Sequence, residues 1–281
     1  MTDFNTVINA PFAFYRYWPS LVAAIIFTVL FILTTGVHLA QLIRNRTWYF
    51  IPLFIGGCLE CIGYIARAMS SKQTPDWTLG PFIVQAILLL VAPALFAATI
   101  YMSLGRIILS VDGEKVSLIR KRWLTKLFVA GDVFSFLLQA SGGGIMAGKT
   151  VKAVSLGQNV ILGGLFLQLI FFGLFIAVSA VFQIRLQKRP TPLAMSLDNP
   201  WRQRMAVLYL ASALIMIRSI FRVIEYLQGN AGYILRHEIF LYLFDAVLML
   251  GVMVLLNIKH PGRIAAMSSR KNGSDSGLPM A

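Results

Sequence analysis

The segment Arg218-Ser-Ile-Phe-Arg222-Val-Ile-Glu225-Tyr226 carries three charges on an otherwise apolar run that begins near Met205. At about 100° per residue, its three charged side chains lie within about 60° of one another on a helix and form one polar stripe. A charge that faces lipid costs several kcal/mol, so the stripe must face protein or water. The segment therefore predicts a helix packed inside a membrane bundle, and we expect the functional site there.

Composition places the whole chain in the membrane. Of its 281 residues, 58% are hydrophobic and 13% are charged, whereas soluble proteins carry about 25% charged residues. The first apolar run, Leu21 to Ile43, is too long for a signal peptide and no small-residue cleavage site follows it, so we interpret it as a first span. Cys58 and Cys61 lie inside an apolar run, which predicts reduced, buried thiols rather than a redox or zinc site.

Seven apolar runs are long enough to cross about 30 Å of hydrocarbon. The sequence therefore predicts an all-α protein, a polytopic bundle of seven transmembrane helices. The predicted domains are a short extracellular N-terminus (1–18), the transmembrane domain (19–258) and a disordered cytosolic tail (259–281). The predicted spans are 19–43, 48–69, 80–108, 124–147, 157–184, 204–227 and 238–258.

The basic residues that give the net charge of +14 lie mostly in the loops between the spans. The first, third and fifth connections and the C-terminal tail hold 16 Lys and Arg when Lys126 and Arg204 at the adjoining span ends are counted with them, against five in the N-terminus and the other loops. This bias places the N-terminus outside and the C-terminus in the cytosol, and we expect the plasma membrane. The same bias accounts for the basic residues without nucleic acid as a partner.

Ionisable residues within the spans recur at a spacing of seven. Residues seven apart lie about 20° from eclipsed on a helix, so each such helix presents one polar stripe. Stripes that face one another reduce the cost of desolvation. We therefore expect four stripes to share one interior: Glu60 and Arg67, Asp132 and Gln139, Arg218 and Glu225, and Glu238 and Asp245.

Depth along the spans, at about 1.5 Å per residue, places most of this polar material between the midplane and the outer face. The sequence thus predicts a polar cavity or ligand site in the outer half of the bundle, formed by Glu60, Arg67, Gln85, Gln139, Gln168, Arg218, Arg222, Glu225, Glu238 and Asp245. Arg106 and Asp132 lie toward the cytosolic end of adjacent helices, where we expect them to pair as an inner latch. The alternative for every one of these residues is structural pairing between helices.

The sequence lacks the residues that several other activities require. A seven-helix zinc hydrolase needs clustered ligands, but His38 and His260 lie near the cytosolic face and His237 lies outside. The last span contains no Lys to hold retinal, and the chain contains no phosphate-binding glycine loop. We expect no metal, no cofactor and no enzymatic activity. The alternative is a membrane enzyme with an unfamiliar acid pair.

Five motifs resemble the fungal lipid-translocating exporter family. They occur in order along spans two to seven: Leu59-Glu60-x-x-Gly63-Tyr64-x-x-Arg67; Ala92-Pro93-Ala94 through Tyr101 to Gly105-Arg106; Asp132 through Gln139 to Gly142-Gly143-Gly144; the segment from Arg218 to Tyr226; and Glu238 to Asp245 with His260-Pro261-Gly262. That family comprises seven-helix proteins linked to 7-aminocholesterol resistance, release of sphingoid bases, molasses tolerance and protoporphyrin transport. The resemblance implies a membrane protein that handles amphipathic lipids or lipid-like toxicants.

Two functions follow as hypotheses. The first is transport of an amphipathic lipid whose polar or cationic head pairs with Glu60, Glu225, Glu238 or Asp245. The second is a receptor-like seven-helix sensor, in which a lipid shifts the bundle and the basic inner loops contact a cytosolic partner. Membrane lipids and an amphipathic ligand are the expected partners, and the sequence leaves the oligomeric state open.

Overall fold

The structure, a computed structural model, describes residues 15–146, 150–196, 199–229 and 232–259. Seven helices in this part of the chain are long and apolar enough to cross a membrane, which confirms the predicted all-α bundle. We label them α1 (Leu21–Asn45), α2 (Ile51–Lys72), α3 (Leu79–Ser110), α4 (Lys121–Met146), α5 (Val151–Lys188), α6 (Trp201–Leu227) and α7 (Glu238–Ile258). Most of the predicted N-terminal segment and all but one residue of the predicted tail lie outside the described residues, so both remain predictions.

The fifth helix differs most from its prediction. Predicted over 157–184, α5 runs from Val151 to Lys188. Its start is capped by Thr150, whose hydroxyl oxygen accepts a hydrogen bond of 3.2 Å from the amide of Ala153, and such a cap satisfies an amide that a helix end leaves unpaired. Hydropathy marks only the part of a helix that lies in hydrocarbon, so it underestimates a helix whose ends continue into polar surroundings.

The last helix changes its winding partway along. Glu238–Leu241 is α-helical, Tyr242–Ala246 is a π-helical segment, and Val247–Ile258 is α-helical again. A π segment closes i to i+5 hydrogen bonds and widens the helix by one residue per turn. Asp245 lies in this widened segment, which faces α6.

Glycines on α2 allow three neighbours to approach it closely. A Cβ atom built on Gly57 would lie 2.6 Å from Met253 Cε of α7, and one on Gly63 would lie 2.7 Å from Leu89 Cδ2 of α3. Gly57 also faces Thr35 of α1. Helices in lipid associate through such close packing, because burial of apolar surface gives them little preference for each other over lipid tails. These contacts place α2 between α1, α3 and α7.

The hairpin of α4 and α5 is packed through Gly142 and Gly157. A Cβ atom on Gly142 would lie 2.7 Å from the Gly157 carbonyl oxygen and 2.9 Å from the Ile161 amide nitrogen. Both are backbone atoms, which cannot move aside as a side chain can. A Cβ atom on the neighbouring Gly143 would have nothing within 4 Å.

We predict that Gly142→Val lowers the free energy of unfolding by about 1–3 kcal/mol, the usual cost of overpacking. Gly143→Val is the matched control, because it makes the same change one residue away in the same helix. Thermal unfolding of the two purified variants in detergent measures the difference. Equal unfolding midpoints for the two variants would contradict this packing of α4 against α5.

Candidate functional site

The buried charges form two groups, and we call the first the Arg67 clamp (Tyr17, Ser20, Arg67, Glu238 and Tyr242). Arg67 is 0% exposed. Its guanidinium donates to Glu238 Oε1 at 2.6 Å, to the Tyr17 hydroxyl at 2.8 Å and to the Tyr242 hydroxyl at 3.0 Å. Both oxygens of Glu238 accept from the Ser20 amide at 2.9 Å.

The Arg67 clamp ties three helices together at one end of the bundle. Ser20 is the N-cap of α1, Arg67 belongs to α2, and Glu238 begins α7. A buried guanidinium with a carboxylate and two phenol partners is largely satisfied, so this group fits the structural alternative better than a free ligand site.

We predict that Arg67→Met lowers the free energy of unfolding by about 3 kcal/mol, because it leaves the half-buried Glu238 without its cation. Adding Glu238→Gln to that variant should restore part of the loss, since the uncompensated charge is then removed. Arg236→Met, at an exposed position in the preceding loop, is the control and should change stability by less than about 0.5 kcal/mol. Chemical or thermal unfolding of the unchanged chain, both single variants, the double variant and the control measures these differences, and strictly additive losses for Arg67→Met and Glu238→Gln would contradict the clamp.

The second group is the Arg218–Arg222 network, formed by Arg218, Arg222 and Glu225 of α6 and Asp245 of α7. Arg218 Nε donates to Asp245 Oδ1, and Arg222 Nη2 donates to Asp245 Oδ2 at 3.0 Å. Arg222 Nη1 also donates to Glu225 Oε2 at 2.9 Å. Two arginines and two carboxylates therefore balance one another in charge.

Arg218 extends this network to a third helix. Its Nη2 donates to the backbone carbonyl oxygen of Leu89, in the middle of α3, at 2.7 Å. The widened π segment of α7 carries Asp245 to the same point. The stripe from Arg218 to Glu225 thus faces protein on α3 and α7, as the sequence predicts for charges in a membrane helix.

Glu60 lies beside the network but is not part of it. Its side chain is 1% exposed, and its Oε1 has no hydrogen-bond partner among the described residues. It interacts electrostatically with Arg218, Arg222 and Asp245, yet no cation in the described part of the chain lies within ion-pair distance of it. Because the network is already neutral, ionised Glu60 is a buried carboxylate without a cation of its own.

Tyr64 lies one helical turn from Glu60 on the same face of α2. It is fully buried, and its hydroxyl also has no hydrogen-bond partner in the described ranges. Its ring stacks on Phe31 of α1, with the centroids 5.4 Å apart and the planes 11° from parallel. Glu60 and Tyr64 together therefore present a carboxylate oxygen and a hydroxyl that have no hydrogen-bond partner in the described residues.

The predicted glutamines pair elsewhere. Gln85 accepts a hydrogen bond of 2.8 Å from the Tyr15 hydroxyl, and Gln139 of α4 donates to Gln168 of α5 at 3.1 Å. The structure thus divides the ten predicted cavity residues among the Arg67 clamp, the Arg218–Arg222 network with Glu60, the Tyr15–Gln85 pair and the Gln139–Gln168 pair. The Tyr15–Gln85 pair adjoins the clamp, because the Arg67 guanidinium lies over the Tyr15 ring at 5.9 Å. The predicted meeting of four stripes is realised for α2, α6 and α7, whereas α4 directs its polar residues to α3 and α5.

The predicted inner latch is wrong in its partners. Asp132 accepts a hydrogen bond of 2.9 Å from the Tyr101 hydroxyl, while Arg106 is exposed and lies over the Tyr49 ring at 5.1 Å. Arg106 follows Tyr101 by five residues, about 140° around α3, so both cannot face α4. No three His, Cys, Asp or Glu side chains in the described ranges come together as a metal site requires.

A comparison with known families matches residues 53–268 to the family described as RTA1 like protein. The match spans α2 to α7, the helices that hold both charge groups. The chain belongs to the RTA1-like family. This confirms the resemblance seen in the sequence motifs, and no solved structure matches the chain.

Three curated relatives from Saccharomyces cerevisiae cover most of this RTA1-like chain. Protoporphyrin uptake protein 1 is 40% identical over 89% of the chain and 92% of its own length. Protein RTM1 is 39% identical over 88% of the chain and 91% of its own length. The sphingoid long-chain base transporter RSB1 is 27% identical over 80% of the chain and 67% of its own length. The first name describes uptake of protoporphyrin, and the third describes transport of sphingoid long-chain bases.

Sequence reasoning missed the tyrosines of the RTA1-like site. Tyr17 and Tyr242 bind Arg67, Tyr101 binds Asp132, and Tyr64 lies beside Glu60. A signal was present for two of them, because Tyr64 lies four residues after Glu60 and Tyr242 lies four residues after Glu238, so each shares its acid's helix face. The prediction used charged and glutamine side chains and included no phenol.

We predict that Tyr101→Phe lowers the free energy of unfolding by about 1–3 kcal/mol, because it removes the hydrogen-bond donor from a buried carboxylate. Arg106→Gln should cost less than about 1 kcal/mol, the range of an exposed cation–π contact. Thermal unfolding of both variants in the same detergent measures the two losses. A larger loss of stability for Arg106→Gln than for Tyr101→Phe would support the predicted pairing of Arg106 with Asp132.

Proposed function

We propose that this RTA1-like chain transports amphipathic lipids with a cationic head, such as sphingoid bases or sterol-like amines, and that Glu60 receives the head. The observation that carries the proposal is the missing partner of Glu60. The other buried acids of the second group are held by arginines, whereas Glu60 has an oxygen with no hydrogen-bond partner in the described structure.

Electrostatics favours a cation at this position. A buried, ionised carboxylate is costly unless a positive charge and hydrogen-bond donors compensate it. An ammonium group supplies both, with one positive charge and up to three N–H donors. A neutral or anionic head would leave the charge of Glu60 uncompensated.

The surroundings of Glu60 suit the rest of such a ligand. Tyr64 offers a hydroxyl that has no hydrogen-bond partner in the described residues and can accept a hydrogen bond from an ammonium group. Its stack with Phe31 continues to Phe27, whose ring centroid lies 5.9 Å from that of Tyr64. A head on Glu60 would therefore have apolar and aromatic surface of α1 and α2 beside it for the adjoining part of the tail.

The name of one relative supports the chemical class, because sphingoid bases are long-chain amines. Protoporphyrin carries carboxylates, so the name of protoporphyrin uptake protein 1 supports an amphipathic ligand but not a cationic head. In the predicted orientation, Glu60 lies just beyond the midplane toward the outside, so the ligand head would occupy the outer half of the bundle. We propose the plasma membrane as the location, from the same orientation.

We predict that Glu60→Gln weakens binding of a long-chain primary amine by at least about tenfold, the effect of losing a buried charge pair. Binding of the alcohol with the same chain should change little, because it carries no charge. Titration of the purified protein in nanodiscs with fluorescent forms of both lipids measures the two affinities. Glu114→Gln, a change at an exposed loop carboxylate, is the matched control.

Movement of the lipid across the bilayer distinguishes transport from sensing. The full-length chain in proteoliposomes should move the labelled amine from one leaflet to the other without another protein. Binding without flux would contradict transport and support the receptor-like hypothesis. An unchanged amine affinity in Glu60→Gln, with only a lower unfolding temperature, would leave Glu60 a structural role and overturn its assignment.

A further inference from the structure

The charges around Glu60 do not balance when no ligand is bound and Glu60 is ionised. The Arg218–Arg222 network has two cations and two anions, and its ion pairs are complete. Glu60 adds a further carboxylate at 1% exposure. In the absence of a ligand, something else must neutralise it, because a buried charge without a partner is costly.

Within the described residues, α6, α7 and α2 offer Glu60 no cation that is not already paired. Arg218 and Arg222 of α6 and Asp245 of α7 interact electrostatically with Glu60, and Tyr64 and Cys61 are its titratable neighbours on α2 itself. Both arginines are occupied by Asp245, and a phenol or thiol supplies no positive charge.

The helices α1 and α3 also pack on α2, and their titratable side chains have other contacts. His38 of α1 bonds to the Met253 carbonyl at 3.0 Å. Tyr101 of α3 bonds to Asp132, and Arg106 lies over Tyr49. Within the described ranges, therefore, no side chain of α1 or α3 neutralises Glu60.

The remaining way to neutralise the carboxylate is a proton. We propose that Glu60 is protonated when the site is empty and ionised when a cationic head is bound, so that the chain exchanges one proton for one cationic amphiphile. This inference rests on the function proposed above and adds the ion that drives it.

The exchange conserves charge at each step. When a cation enters, the O–H bond of the Glu60 carboxyl breaks, the proton passes to water, and the carboxylate pairs with the cation. When the cation leaves on the other side, the carboxylate takes a proton from water there. The site is neutral in both states, so neither state leaves an uncompensated charge in the membrane.

The other buried acids do not fit this role. Asp245 accepts from two arginines, Glu225 from one, and Glu238 from Arg67 and the Ser20 amide. Each of these partners stabilises the ionised form of the carboxylate. Asp132 of α4 is buried as well and lies beyond ion-pair distance of the described cations, but it belongs to neither charge group and accepts a hydrogen bond from Tyr101. Beside the Arg218–Arg222 network, Glu60 is thus the acid whose charge state is left to a ligand or a proton.

The test uses the full-length chain in proteoliposomes with a pH-sensitive dye trapped inside. Equal K⁺ on both sides with valinomycin holds the membrane potential at zero, so protons do not move merely to compensate charge. The probe is a fluorescent long-chain alkyl trimethylammonium lipid, which cannot lose a proton or cross as a neutral base. A labelled primary amine is run in parallel.

We predict that the interior pH rises as the quaternary probe moves inward, by one proton for each probe molecule. Glu60→Gln should lose this proton movement, because its amide cannot ionise. Glu60→Asp should retain it, which covers the case in which Glu60→Gln folds poorly. Glu114→Gln should behave as the unchanged chain does.

The possible failures are separable. Probe movement without a change in interior pH overturns proton exchange and leaves the proposed transport standing. Proton movement that persists in folded Glu60→Gln overturns the assignment to Glu60. If neither lipid moves faster than in protein-free vesicles, the proposed transport itself is wrong.

Discussion

Asp245 accepts hydrogen bonds from both arginines of α6, and the interior of the bundle depends on this double pairing. Neither Arg218 nor Arg222 could remain in a membrane span without a carboxylate. The π segment of α7 holds Asp245 at the point where it meets both of them, and Arg218 reaches on to the α3 backbone. One acid thus fixes α6 against α7 and, through Arg218, against α3.

The same requirement explains why the two charge groups differ in what they can do. In the Arg67 clamp, one buried arginine has a carboxylate and two phenols, and the carboxylate also holds the start of α1. The Arg218–Arg222 network contains as many positive as negative charges, so neither of its arginines is left to balance the nearby Glu60. A complete group stabilises the fold, whereas a group beside a surplus acid can respond to a proton or a cation.

The sequence predicted correctly the features that depend on a single helix. It predicted less well which side chains on two neighbouring helices contact each other. Hydropathy and length gave all seven spans, and the seven-residue spacing placed Arg218 and Glu225 on one buried face, where both lie. The Arg106–Asp132 latch was wrong because similar depth does not place two side chains on facing sides of neighbouring helices. The tyrosines were missed because a phenol is apolar over most of its surface and polar only at its tip.

The sequence by itself determined the class of protein, the number of helices, the family and the set of charges that had to be buried. These follow from composition, the period of a helix and the cost of a charge in lipid, all of which act locally along the chain. Only the tertiary structure decided which charge meets which. That depends on how glycines such as Gly57 and Gly63 let helices approach and on the widened turn at Asp245. This arrangement leaves Glu60 without a cation within ion-pair distance among the described residues.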